Sequence, residues 1–574
     1  MRDEYKNKIA DKIAARFTDL EERIMKDIVR RIRKTGEITS TADWQINRLK
    51  ILGYSSEDIE KAIKDTLNAS YPEMFELYDK VIDWVYVRNK DIYEQVNAQF
   101  IPYEENEQMQ QQVEAIIRQS REDLENITNS LGFYLNYNGK MVVTPLSQIY
   151  IGYLDNACYD IVSGAFDYGG VLRRTVTQLT NSGMRTIDYP SGWTNRVDVA
   201  ARRAVLTGVA QVCGKINEYH AQQLGTEYFE VDWHAGARPT HAVWQGRVYS
   251  KQQLVSVCGL GTVTGLLGAN CYHMYYPFFP GISVRNYTDE WLDEQNKKDN
   301  TPQSFDGKAY TAYEARQKQR KMETAMRAQR QKVKLMESGG ADKDEVMLHK
   351  AKYQAQLSEY ARFSKRMGLK QQRERIYLDM RGRVAPRSLK AVKQFPPEMI
   401  QNAGRDIAQY RRYKNAIGDA AGSLAEFGQI KYNNSEKWKY LEGLKEYLTK
   451  YPNSSKKYYD VYDTLKKEKL AKGIVLPPVC KQAFILPEGK HEPYHIMQRM
   501  LKRKITDDEI RSYMKNADIM LNQWGGKRQA FYSKDGVCVI TKTDEGWIYK
   551  TAWKKEDFDS NTERILEVIK KYVR

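Results

Sequence analysis

The chain has seven histidines in 574 residues, and five residues with the chemistry of metal ligands fall close together in its middle: His234, His241, Cys258, Cys271 and His273. Imidazole nitrogens and thiolates are the donors zinc prefers. The spacing lacks the close pairing of common zinc sites, with no C-x-x-C anywhere near. The sequence therefore predicts no metal and no cofactor, and names His234, His241, Cys271 and His273 as the residues that would hold an ion. Cys258 or Cys271 beside a histidine could act as a nucleophile, but nothing in the flanking sequence marks either thiol as activated. The remaining reading of DWHAGARPTHAVWQGRVYS (232–250) is architectural. Arg238 precedes Pro239, which favours an extended or turn backbone. Buried Trp, His and Arg groups in such a loop must find backbone partners.

A second set of chemistry-bearing residues lies near the end, in HEPYHIMQRMLKRK (491–504). On a helix, Ile496, Met497, Met500 and Leu501 share one face, while His495, Arg499 and Lys502 recur at i, i+4 and i+7 on another. A histidine can act as general acid or base near neutral pH. Arg and Lys can hold a phosphate and stabilise a pentavalent transition state. Hydroxyls follow at Tyr532, Thr541, Thr543, Tyr549 and Thr551. This set would suffice for metal-free RNA cleavage by the neighbouring 2′-hydroxyl. No acidic cluster suited to a two-metal nuclease accompanies it.

The elements that must position these groups can be read from periodicity. Ile9, Ile13, Phe17, Leu20, Ile24, Ile28 and Ile32 recur at steps of three and four, which predicts an amphipathic helix over 3–35 stopped at Gly36. Helices are also predicted from Ser55, from 108, and over 198–224, with helix dominating up to about 140 and through 141–230. YFEVDW (228–233) alternates like a strand, and the segment to about 285 is rich in Gly, Pro and aromatics, which predicts short strands and turns. Two charged runs, 309–338 and 343–378, flank SGGAD and predict an antiparallel helical hairpin. Its apolar residues look too sparse for a thick core, which predicts a projecting arm or a pair lying on another subunit. In the last stretch, Thr506 with Glu509 and Ser560 with Glu563 predict helix caps. QAFYS (529–533), VCVIT (537–541) and WIYKTAW (547–553), joined by KDG and TDEG, predict an antiparallel meander.

The fold class is thus multidomain: a mainly α body with a small irregular α+β centre and a basic helical hairpin, then a C-terminal α+β module of two helices, a meander and a terminal helix. The divisions expected are a helical domain over 1–140, a central domain over 141–290, the hairpin over 291–390, a helical linker over 391–478 and the module over 479–574. A net charge of +17 is unevenly placed, with 21 Lys and Arg against 9 Asp and Glu in residues 311–390, a net +12 there. Such a segment suits a polyanion or an acidic protein face. Six scattered cysteines fit reduced thiols better than a disulfide frame. No secretory signal opens the chain, and no apolar run is long enough to span a membrane.

The middle of the chain resembles the tailed-phage minor capsid protein 2 family, and more distantly the Mu-type head morphogenesis proteins. The resemblance rests on Trp233, His234, Gly236, Arg238, Pro239, His241, Trp244, Gln245 and Gly246. It continues in GLLGANCYHMYYPFFPGIS (265–283) with Gly268, Asn270, Cys271, His273 and Gly281. The YTAYEARQKQRKMET hairpin and the helical N-terminus fit as well, so the resemblance spans roughly residues 5–430. It implies a structural role inside the head near the portal, with portal and major capsid proteins as partners and packaged DNA met through the basic hairpin. It places the protein in the virion, and in the host cytoplasm during assembly. The C-terminal module resembles the phage-borne barnase–EndoU–colicin–RelE nucleases, on shorter motifs. That resemblance implies His495 or His491 as acid and base, with Arg503 and Lys550 on phosphate and Tyr549 and Thr551 orienting it. Arg499, Lys502, Lys527 and Arg528 would meet host RNA after ejection. Two readings follow: a minor capsid protein carrying a metal-independent ribonuclease, or a purely structural protein whose module is a non-catalytic binding or assembly handle.

Overall fold

The computed structural model describes residues 3–37, 55–137, 139–163, 165–187, 194–377, 384–386, 388–479, 495–544 and 546–573. They form two compact units, Met1–Val392 and Lys393–Arg574. Both are mainly helical with small antiparallel sheets, the class the sequence predicts.

In the N-terminal unit, helix α1 (Asp3–Gly36) buries its whole apolar stripe from Ile9 to Ile32 and ends at the expected glycine. It packs against α2 (Ser55–Val87), which with α3 (Glu107–Asn129) surrounds a central helix described below. Between 130 and 196, where mostly helix is expected, the chain also forms four strands. Strands β1 (Leu131–Tyr137) and β2 (Lys140–Pro145) form a hairpin there. Helices α4 (Leu154–Val162) and α5 (Tyr168–Ser182) follow, then β3 (Arg185–Ile187) and β4 (Thr194–Arg196). The sheet order is β2-β1-β3-β4, all antiparallel. The physical reason is a period of two: Leu131, Phe133 and Leu135 all enter the core from one face of β1.

The central helix α6 (Val197–Gln223) contacts α1, α2 and α3. Its small residues allow this, since a Cβ at Gly208 would collide with the Tyr78 and Ser120 hydroxyls. The three-stranded sheet β6-β5-β7 follows, built from β5 (Tyr228–Val231), β6 (Val248–Ser250) and β7 (Tyr275–Phe278), with the short helices α7 (Pro239–Ala242) and α8 (Lys251–Ser256) between the strands. Helix α9 (Asp289–Asn300) and the ribbon of β8 (Gln303–Phe305) with β9 (Lys308–Tyr310) lead to the expected hairpin, α10 (Ala312–Ser338) and α11 (Lys343–Arg366).

That hairpin does not project. Helix α10 packs against α1 and α5 as well as α11. Met322, Met326, Val333, Leu335 and Met336 join the same hydrophobic cluster as Phe17 and Phe133. Its charges enter the interior because they are paired there. Arg327 Nη1 donates to Asp198 Oδ2 at 2.7 Å, and Asp198 also meets Arg196 at 3.5 Å. Glu21, fully buried on α1, accepts from the Met184 amide (2.7 Å), Arg196 Nη2 (3.1 Å) and Gln331 Nε2 (3.1 Å). Buried charges persist only when partnered in this way. Counting charge along the sequence treats these residues as surface, which is why the projecting arm was the wrong expectation.

In the C-terminal unit, helices α12 (Ala403–Ile417), α13 (Leu424–Asn433), α14 (Ser435–Lys450) and α15 (Lys456–Lys467) precede a five-stranded antiparallel meander. Its strands are β10 (Ile474–Val479), β11 (Ile519–Gln523), β12 (Arg528–Tyr532), β13 (Gly536–Thr543) and β14 (Gly546–Lys554). Helices α16 (His495–Arg503) and α17 (Asp507–Lys515) lie between the first two strands, and α18 (Ser560–Tyr572) closes the unit. The three expected strands are there, joined by two more at the β10 side. Alternation sorts the sheet's side chains. Leu521, Ala530, Tyr532, Val537 and Val539 pack with α15 and α18, while Met520, Phe531, Cys538, Ile540 and Tyr549 pack with α17. Thr506 and Glu509 form the expected capping box. The last helix is capped one residue earlier than expected, by Asp559 rather than Ser560, because the Asp559 carboxylate accepts from both the amide and the hydroxyl of Thr562.

Candidate functional site: a histidine and cysteine cluster held by loops

Strand β5 ends at Val231, and the chain then turns through Asp232, Trp233 and His234. Arg238 is extended (φ −61°, ψ 147°) and Pro239 opens α7, as the Arg-Pro pair requires. This one-turn helix aims His241 inward. The segment from Cys258 to Met274 returns to the same place in a series of tight turns. Gly268 is required there: a Cβ would run into the backbone carbonyls of Thr262 and Val263. Gly246 sits at φ +75°, and a side chain there would strike Leu292. Asp232 ties the two ends together. Its amide donates to the Met274 carbonyl at 3.0 Å, and its carboxylate accepts from the Met274 amide at 2.7 Å.

His241 and His273 are buried and Cys271 is half-buried. The His241 and His273 Nδ1 atoms are 3.3 Å apart, with Cys271 Sγ 3.7 Å from the first and 3.6 Å from the second. The outer nitrogens are fixed by acceptors. His241 Nε2 is 2.9 Å from the Thr264 carbonyl, an oxygen that can only accept. His273 Nε2 is 2.8 Å from Gln245 Oε1. That oxygen is identified by the His234 amide, which donates to it at 2.9 Å. Each ring therefore carries its proton on Nε2 and presents a lone pair from Nδ1. Burial pushes His241 below its ordinary value, and burial with the neighbouring His234, His241 and Arg238 charges takes His273 down to about 2. Burial also raises the Cys271 thiol, so it is not an activated nucleophile.

The other motif residues frame the cluster. Trp244 packs on His241 and His273 with ring centroids 4.5 and 4.9 Å away. Arg238 Nη2 donates to the Ala269 carbonyl at 2.8 Å, and the Gly236 amide to Asp299 at 2.6 Å. Trp233 meets Trp291 edge to face at 5.0 Å. Asn270 adopts the left-handed conformation (φ 57°) that its short polar side chain tolerates. His234 stands beside the cluster, its Nε2 3.4 Å from Asp232. Sequence reasoning missed Asp232 and the Thr264 carbonyl, since neither residue type is distinctive until the turns bring it into place.

In the C-terminal unit the candidate residues are divided. His491 lies outside the described residues, and His495 opens α16. Arg499 Nη1 donates to Thr551 Oγ1 at 3.1 Å, and Arg503 to the Ala552 carbonyl at 2.6 Å, so α16 brings these groups to β14. Lys502 and Lys527 are exposed, Lys550 and Arg528 half-exposed. Arg528 alternates with Ala530 and Tyr532, on the face toward α15 and α18. Tyr549 is fully buried on the opposite face, and Tyr532 is buried too.

The model of the family described as Phage minor capsid protein 2 matches residues 1–362. The chain belongs to that family and is a structural component of a bacteriophage virion. The match covers the central loops and nearly all of the α10–α11 hairpin and stops short of the C-terminal unit. No curated protein and no solved structure matches the chain. No helix among the described residues is long and apolar enough to cross a membrane.

Proposed function

We propose that this minor capsid protein is an internal head component near the portal vertex, with the N-terminal unit as its scaffold. The observation that carries the reading is that the family-matched region ties together segments far apart in sequence, α1, the β4–α6 junction and α10, through buried ion pairs. A region fixed in that way offers a rigid body to the portal and major capsid proteins. The exposed cations of the hairpin, Lys321, Lys343, Lys365 and Lys370 among them, would meet packaged DNA phosphates without reading sequence. Cross-linking in purified virions is expected to join residues 1–392 to the portal. Cross-links to tail proteins alone would contradict it.

A second reading concerns the C-terminal unit. The Arg499–Thr551 pair, with His495 one turn earlier on the same helix, favours a metal-independent ribonuclease acting on host RNA after ejection. The coverage of both sheet faces and the burial of Tyr549 favour a non-catalytic assembly handle instead. Total RNA incubated with the full chain in chelator discriminates them. Cleavage that falls at least 100-fold in His495→Ala and Arg499→Ala supports the enzyme, whereas equal inertness of all three proteins leaves the handle.

A further inference from the structure

We propose that His241 Nδ1, His273 Nδ1 and Cys271 Sγ are the protein ligands of a zinc-type divalent cation. A tetrahedral ion with bonds of about 2.0 Å to nitrogen and 2.3 Å to sulfur separates its nitrogen donors by about 3.3 Å and nitrogen from sulfur by about 3.5 Å. The corresponding distances are 3.3 Å between the nitrogens and 3.7 and 3.6 Å from them to the sulfur.

Thr264 and Gln245 hold both ring protons on the outer nitrogens. Two imidazole lone pairs therefore face each other inside the protein, and the single Cys271 thiol proton, 3.7 and 3.6 Å from them, can serve only one at a time. A cation between them satisfies both, and the thiol supplies a third donor on losing its proton to solvent. The outer hydrogen bonds are the support that metal-bound histidines need to fix tautomer and ring direction. Two nitrogens and one sulfur suit zinc and its soft relatives rather than magnesium or calcium. The ion would staple α7 to the turn-rich 258–274 segment, whose backbone has little regular structure to hold it.

The test uses the full chain, stripped with chelator and dialysed against micromolar zinc. One zinc per chain is expected, with a rise in the thermal midpoint of several degrees. Cobalt in its place should give intense visible bands of a tetrahedral ion and a near-ultraviolet sulfur-to-cobalt band, the latter lost in Cys271→Ser. Zinc affinity should fall more than 100-fold in His241→Ala and His273→Ala, and about 10- to 100-fold in Gln245→Ala, which positions His273 without touching the ion. Should a histidine variant fail to fold, the half-exposed Cys271→Ser decides, together with protection of Cys271 from alkylation by zinc in the native chain. No zinc retained, or a stoichiometry and cobalt spectrum unchanged in Cys271→Ser, would overturn the assignment.

Discussion

Arg327→Ala is expected to destabilise the N-terminal unit by about 3–5 kcal/mol, the range for breaking a buried ion pair from one side. Both partners are buried, with Arg327 7% and Asp198 7% exposed. Among the described residues, the carboxylate that remains would keep Arg196 as its charged partner, with Nε 3.5 Å from it. The loss also touches packing, because the guanidinium joins α10 to the start of α6. Burial and neighbouring charges compete at Asp198. Burial, the largest influence, raises its pKa, and Arg327 and Arg196 together bring it below the ordinary carboxylate value. Hydrogen exchange over residues 3–366 during urea unfolding reads the change. The double replacement Asp198→Leu with Arg327→Met should recover most of the loss, since an apolar pair of similar volume removes both desolvation costs. A change under about 1 kcal/mol in the single variant would mean that the hairpin is not docked as described.

Acidification is the second large effect. Burial pushes His220 down to about 4, and burial with the charges of Lys332, Lys352 and Arg173 pushes His349 down to about 3. Both rings are buried and neutral in the fold. Tyr93 Oη lies 2.9 Å from His220 Nδ1, and Gln329 Nε2 donates to His349 Nδ1 at 3.0 Å. In the unfolded chain each takes up a proton near pH 6.5. Between that value and the folded ones, the unfolded state binds more protons, so stability is full above about pH 6.5 and falls as pH drops. Each ring contributes up to roughly 1.4 kcal/mol per pH unit, and because the unfolded rings are only half protonated at pH 6.5 the pair loses about 3 kcal/mol between pH 6.5 and 5. Denaturant midpoints across that range should show the decline, and His349→Gln should remove about half of the pair's share. A midpoint that is level from pH 7 to 5 would contradict the buried neutral state.

Much of this architecture is legible in the sequence where one local rule dominates. The α1 stripe, the Thr506–Glu509 cap and the break at SGGAD each carry their own signal. The β1–β2 hairpin was hidden because the alternation of Leu131, Phe133 and Leu135 is short beside the long helical patterns around it, although the NG dipeptide at 138–139 is turn chemistry. The buried charges of α10 were hidden for another reason. Arg327 and Gln331 find their partners on α1 and α6, more than a hundred residues away, and no local pattern encodes that. The histidine cluster was legible in residue type but not in geometry. His241 and His273 meet because β5 and β7 pair and Asp232 ties Met274 back, not because of their spacing. His234, equally suggestive on paper, turns toward Asp232 instead.

The central claim is that this chain is built into the particle. Mass spectrometry of gradient-purified, DNA-filled virions, quantified against the major capsid protein, tests it most directly. The account predicts peptides from both units at a constant low copy number that survives stringent washing. Their absence from purified particles, with the chain abundant in the infected-cell lysate, would contradict it.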